Sequence, residues 1–140
     1  MVPDDLERAQ HEQAVTIGEG DTVLVRTGHT RRLLELGAWE TETLKAGLHP
    51  TTMPLLADAG VVALGCDGNS DTAPSSTEGV AFPIHVLALN AMGVLLLDYL
   101  YLEDLGDACL AADRWDFLCV TAPLRIKGGT GSTANPLAIL

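Results

Sequence analysis

A chain of 140 residues, 47% of them hydrophobic, can enclose one core, and its composition matches ordinary globular proteins rather than disordered, fibrous or membrane classes. The formal charge of −11, from 8 basic against 19 acidic residues, gives a surface that repels phosphate backbones and anionic membranes, so neither is expected as a partner. Cys66, Cys109 and Cys119 share no C-x-x-C spacing, and Cys66 and Cys119 sit in strand-like apolar runs; they read as reduced core thiols of a cytoplasmic protein rather than as a disulfide framework.

The first predicted element, DDLERAQHEQ, is a helix opened by acidic residues. Its surroundings, MVPDDLERAQHEQAV, have neither the basic n-region nor the apolar h-region of a secretory signal, so export is not expected. IGEGD is a turn, TVLVRTG a short buried strand, and HTRRLLELG a helix closed by Gly37. A second short helix follows Pro50, over Thr51 to Ala59. VVALGCDG is a strand that leaves into the polar loop NSDTAPSSTEG, a candidate site rim because irregular segments at strand C-termini commonly carry function. Beyond Pro83 to Leu100 come a helix over LEDLGDACLAAD, a strand over DFLCVTAPL, and the glycine-rich tail RIKGGTGSTANPLAIL. This βα alternation, with no internal repeat, predicts a mixed α/β fold and a single domain over residues 1–140.

The segment Pro83 to Leu100 reads PIHVLALNAMGVLLLDYL, an apolar run with His85 near one end and Asp98 near the other. Asn90, Gly93 and Asp98 interrupt it, whereas a membrane-spanning helix needs about 20 mostly apolar residues, so it is assigned to a buried core. Gly93 is a natural helix stop, which divides the run into a helix over His85 to Met92 and a strand over Val94 to Asp98. The helix covers about 12 Å at its rise of 1.5 Å per residue, and the strand covers about 13 Å at 3.3 Å per step. If the chain reverses at Gly93, an imidazole and a carboxylate return to the same level at one edge of the core. Burying such a pair demands a partner for each group: the other residue, a metal or a substrate. The alternative is a histidine packed at a helix start and an aspartate in solvent at a strand end.

Four blocks in order, GDTVLVRTG, AGLHPTTMPLLADAGVVALGCDG, FPIHVLALNAMGVLLLDYL and APLRIKGGTGS with NP shortly after, resemble the cyclase-family metal-dependent hydrolases, the group that includes bacterial kynurenine formamidase and isatin hydrolase. The resemblance runs from about Asp4 to Leu140. It implies a closed mixed β-barrel flanked by helices, assembled as a homo-oligomer, that hydrolyses a small-molecule amide or lactam with water activated by one or two divalent ions, zinc or manganese. It also implies that His85 and Asp98 are metal ligands and catalytic residues, with Asp98 standing where kynurenine formamidases have Glu. A carboxylate one methylene shorter reaches less far, which favours a hydrogen bond to a bound group over direct coordination. Asp67 and Ser70 are placed by the resemblance at the rim of the substrate pocket.

The main metal motif of that family, His-x-Gly-Thr-His-x-Asp followed by a further His, has no counterpart here: the four histidines, His11, His29, His49 and His85, form no His-x-x-x-His pair. The chain is therefore expected to be the C-terminal portion of a barrel, with an incomplete metal site. Two function classes follow. One is an arylformamidase-like hydrolase of an N-formylkynurenine-type bond whose remaining ligands lie upstream or on another polypeptide; the other is a noncatalytic fragment or oligomerising scaffold. Among the other candidates, His29 follows a strand and could face the site mouth, although its neighbours Arg31 and Arg32 suggest a surface loop. His49 before Pro50 reads as turn chemistry, His11 as solvated, and the loop residues Asp67, Asn69, Ser70, Asp71 and Ser75 either line a pocket or satisfy their own turns. GGTGS lacks the context of a phosphate loop, and Arg125 and Lys127 beside it are candidate contacts for another subunit or a carboxylate-bearing substrate.

Overall fold

The computed structural model describes all 140 residues and begins with helix α1 (Pro3–Glu12), whose Leu6 is buried. Strand β1 (Thr22–Val25) leads into helix α2 (His29–Leu36), entered through Gly28 in the left-handed region and closed by Gly37. A 3₁₀ turn (Pro50–Thr52) opens helix α3 (Met53–Ala59), and here His49 caps the turn, its Nδ1 taking the Thr51 amide and lying 2.8 Å from the Thr51 hydroxyl. Strand β2 (Ala63–Cys66) follows, then helix α4 (Pro83–His85), which runs on as a π-helix (Val86–Met92) to Gly93, and strand β3 (Leu95–Leu97). Helix α5 (Glu103–Ala112) and strands β4 (Leu118–Val120) and β5 (Leu137–Ile139) complete the chain.

Strands β1, β2 and β3 form a parallel sheet in that order, with Val25 beside Cys66 and Gly65 beside Leu97. All four residues of the central β2 are buried, as expected of a strand paired on both sides and covered by crossover helices. Leu64 anchors a core with Leu6, Val25, Leu48, Met53, Leu56, Val61, Ile84, Ala88 and Val94. Outside this sheet, β4 and β5 make a two-stranded antiparallel ribbon. The second strand of that ribbon lies in the tail read above as glycine-rich, a strand not expected there.

The five strands are thus an open sheet with two edges and a separate ribbon, in a mixed α/β fold. The apolar run of α4 and β3 is not uniformly buried: Ile84, Ala88 and Val94 are inside, but Val86 and Leu89 are half exposed and Leu95 is 64% exposed. The expectation of a dry run fails there because β3 is an edge strand and nothing covers its outer face. Leu118, Val120, Leu137 and Ile139 of the ribbon are likewise exposed. No helix is long and apolar enough to cross a membrane.

Candidate functional site

Parallel strands end on the same side of a sheet, so the residues that leave β1, β2 and β3 are gathered at one rim, where open α/β sheets build their sites. These residues are Thr27 to His29, Asp67 to Asp71, and Asp98 with Tyr99. Two backbone bonds lace the exits of β2 and β3 together, Tyr99 N–H to Gly68 O at 2.8 Å and Leu100 N–H to Cys66 O at 2.9 Å.

Asp67 is buried, and its Oδ1 accepts both the backbone N–H and the hydroxyl of Thr27 at 2.7 Å; Oδ2 is 3.4 Å from the Thr30 amide. This carboxylate therefore ties the β1–α2 turn to the end of β2, and any substrate contact at Asp67 would compete with those bonds. Desolvation of the neighbouring Cys66 thiol pushes its pKa up to about 11.

The rest of the loop builds a linear chain of four side chains. Ser70 Oγ donates to Asp98 Oδ1 at 2.8 Å, Asp98 Oδ2 lies 3.0 Å from His85 Nε2, and His85 Nδ1 lies 2.6 Å from Asp71 Oδ2. The remaining oxygen of Asp71, Oδ1, accepts the Ile84 amide at 2.7 Å. Ser70 and Asp71 are fully buried, whereas the side chains of His85 and Asp98 keep 29% and 22% exposure, so the central pair is what a ligand can reach. Ser70, expected at the pocket rim, reaches the site through Asp98.

Local backbone geometry holds these groups in place. Gly93 adopts φ +68° and reverses the chain between His85 and Asp98. Ser70 (φ +64°) and Tyr99 (φ +56°) are non-glycine residues in the left-handed region, which costs of order 1–3 kcal/mol each and is characteristic of functional sites. Gly47 packs directly on the loop: a methyl group there would collide with the backbone carbonyls of Asp71 and Ser70.

His29 is not a surface residue. It is 8% exposed at the start of α2, its ring 4.7 Å from Trp39 and 5.8 Å from Tyr99, and its Nδ1 is buried without a hydrogen-bond partner against Gly68. The adjacent arginines suggested exposure, but Arg32 folds its guanidinium over Trp39 at 4.0 Å and leaves the histidine beneath. Sequence reasoning also passed over Asp71 as the partner of His85; its place in an oxygen-rich loop was the only signal.

One imidazole flanked by two carboxylates is an environment for a cation. His85 Nε2 and Asp98 Oδ2 are spaced as two donors on one divalent ion are, about 3.0–3.5 Å apart for bonds near 2.1 Å. A second carboxylate, Asp71, holds the far ring nitrogen in the manner of an outer-shell partner. The donor set fits two ligands of a metal, and no group of three or more His, Cys, Asp or Glu side chains is arranged to hold one ion.

The Cyclase family model ("Putative cyclase") matches residues 1–71, ending at Asp71 and short of His85 and Asp98. No curated protein matches significantly. Among solved structures, the chain is similar to a novel cyclase (TM-score 0.85, 24% identity, 99% of this chain and 46% of that one). It is similar to an isatin hydrolase bound to the product analogue thioisatinate (TM-score 0.74, 25% identity, 100% and 52%). A predicted metal-dependent hydrolase from Bacillus stearothermophilus is also similar (TM-score 0.70, 24% identity, 98% and 55%). The chain spans about half the length of these structures.

Proposed function

The chain belongs to the Cyclase family, and from that premise we propose that it carries one half of the active site of a metal-dependent hydrolase acting on a small-molecule amide, in the manner of an arylformamidase. The observation that carries this reading is the 3.0 Å contact of His85 Nε2 with Asp98 Oδ2, partly exposed at the rim of the parallel sheet and clamped from both sides by Asp71 and Ser70. His85 and Asp98 would hold a zinc or manganese ion together with ligands from a further segment, upstream or on another polypeptide. When bound, the ion supplies Lewis-acid chemistry, acidifying water and polarising the scissile carbonyl. The chain's own residues orient the pair: Asp71 holds His85 at Nδ1, and the Ser70 hydroxyl donates to Asp98 Oδ1 and leaves Oδ2 toward the ring. On this reading the open sheet is an arc of a closed mixed barrel, residues 1–140 are one domain's C-terminal portion, and the exposed faces of β3 and the β4–β5 ribbon are covered by additional chain or by another copy.

A noncatalytic scaffold is the second reading, favoured by the absence of any three-ligand cluster within the chain. Calorimetry with zinc or manganese tests the half-site directly. Two protein ligands leave most of the coordination shell to water, so the chain alone is expected to bind more weakly than about 1 μM, a free energy of roughly −8 kcal/mol. Tighter binding abolished by His85→Ala would show that the chain holds a complete site and overturn the half-site reading.

A further inference from the structure

With 19 acidic residues against 8 basic ones, a carboxylate partner is the ordinary fate of a cation in this chain, and Arg8, Arg26, Arg31 and Arg114 each have one. Arg125 and Lys127 lie in the exposed tail. That leaves Arg32 and Lys45, both half-buried and both without an acidic partner. Each rests on an aromatic ring instead, the Arg32 guanidinium 4.0 Å over Trp39 and Lys45 Nζ 5.3 Å over Phe82.

These two rings bracket the site. Phe82 meets His85 edge-on at 5.8 Å, and Trp39 packs on His29, which in turn meets Tyr99, the sequence neighbour of Asp98. One segment carries Trp39 and Lys45 along the site loop: Trp39 Nε1 donates to Leu44 O at 2.6 Å, Lys45 and Ala73 exchange backbone bonds at 3.1 Å, and Leu48 N–H donates to Ser70 O at 2.7 Å. Arg32 keeps Nη1 buried with no acceptor. A buried donor of a charged group is costly when left alone, and a carboxylate is the acceptor whose geometry a guanidinium matches.

We infer that the rim around His85 and Asp98 selects an anionic ligand, a small molecule carrying a carboxylate, with Arg32 and Lys45 as the specificity-determining residues. Asp71 and Asp98 already lie at this rim and the whole chain carries −11, so an anion meets attraction only where these two cations stand. That the anion belongs to a hydrolysable amide rests on the function proposed above; the preference for negative charge does not.

The test compares benzoate with its neutral isostere benzamide on the metal-free 140-residue chain, titrated while the backbone amides and the Trp39 indole are followed by NMR. Benzoate is expected to shift the Trp39 indole and to bind about tenfold more tightly than benzamide, the increment of one charge-assisted contact. Arg32→Gln and Lys45→Gln should each reduce that ratio toward one while leaving benzamide binding unchanged. Equal affinities in the wild type, or no benzoate binding, overturn the inference without any variant, which covers the case in which a variant fails to fold. A ratio that survives in a folded variant removes that residue from the assignment, and shifts confined to the tail around Arg125 and Lys127 overturn the site. Because neither metal nor hydrolysis enters the measurement, an inactive protein leaves a measured preference standing, and an absent preference leaves the hydrolase reading standing.

Discussion

His85 and Asp98 are thirteen positions apart in the chain and 3.0 Å apart in space, brought together by a reversal at one glycine. Gly93 sits at φ +68° with nothing within 4 Å of where a side chain would begin. The cost of substituting it is therefore backbone strain alone, about 1–2 kcal/mol for an ordinary residue held left-handed. Urea denaturation should show Gly93→Ala destabilised by about that amount and Gly93→Asn by less, since asparagine tolerates this region. Equal losses for the two variants would mean that crowding, not backbone conformation, sets the requirement.

Gly47 makes the opposite case, because its conformation suits any residue but its space does not. A methyl group there would press on the backbone of Ser70 and Asp71, which cannot yield as the end of a flexible side chain can. Gly47→Ala should cost about 1–3 kcal/mol, the range for overpacking, and should also displace Asp71 from His85. Denaturation together with the His85 ring signals checks both effects. A variant as stable as the wild type with unaltered ring signals would contradict the described packing of this loop.

Burial of Cys66 supplies a pH dependence with a definite sign. Its pKa is raised from an ordinary 9.0 to about 11, chiefly by desolvation, so the folded state holds the thiol proton more tightly than the unfolded chain does. The resulting stabilisation is complete below pH 9 and is lost as pH rises from 9 toward 11, to the extent of about 2 kcal/mol relative to Cys66→Ala. Denaturation of both proteins across that window should show the difference shrinking with pH. At pH 8, alkylation with iodoacetamide should reach the half-buried Cys119 before the fully buried Cys66.

Much of this fold was legible because glycine and proline punctuate it: Gly37, Pro50 and Gly93 each mark a boundary that the structure keeps. The convergence of His85 and Asp98 was legible from two segments of similar expected reach on either side of Gly93, on the condition, met in the structure, that the chain reverses there. What escaped has physical reasons. The π-helical winding after His85 leaves no mark in an apolar run, and β5 is three residues long in a tail dominated by glycine, where pairing with β4 decides the conformation. Exposure of Leu95 was hidden because periodicity says that a residue is apolar, not whether anything covers it. Asp71 was one oxygen-bearing residue among several in its loop, and only the fold shows which of them meets the imidazole.

The central claim, that His85 and Asp98 are half of a hydrolytic metal site, is tested most directly by activity in a completed protein. The chain is combined with a segment or partner polypeptide that provides the further ligands, supplied with zinc or manganese, and assayed on an aryl formamide. The account predicts metal-dependent hydrolysis that falls at least about 100-fold in His85→Ala and in Asp98→Ala, a loss above about 2.7 kcal/mol in transition-state stabilisation, with much smaller changes in thermal stability. Hydrolysis that survives both substitutions, or a metal bound tightly and productively without these two residues, would contradict it.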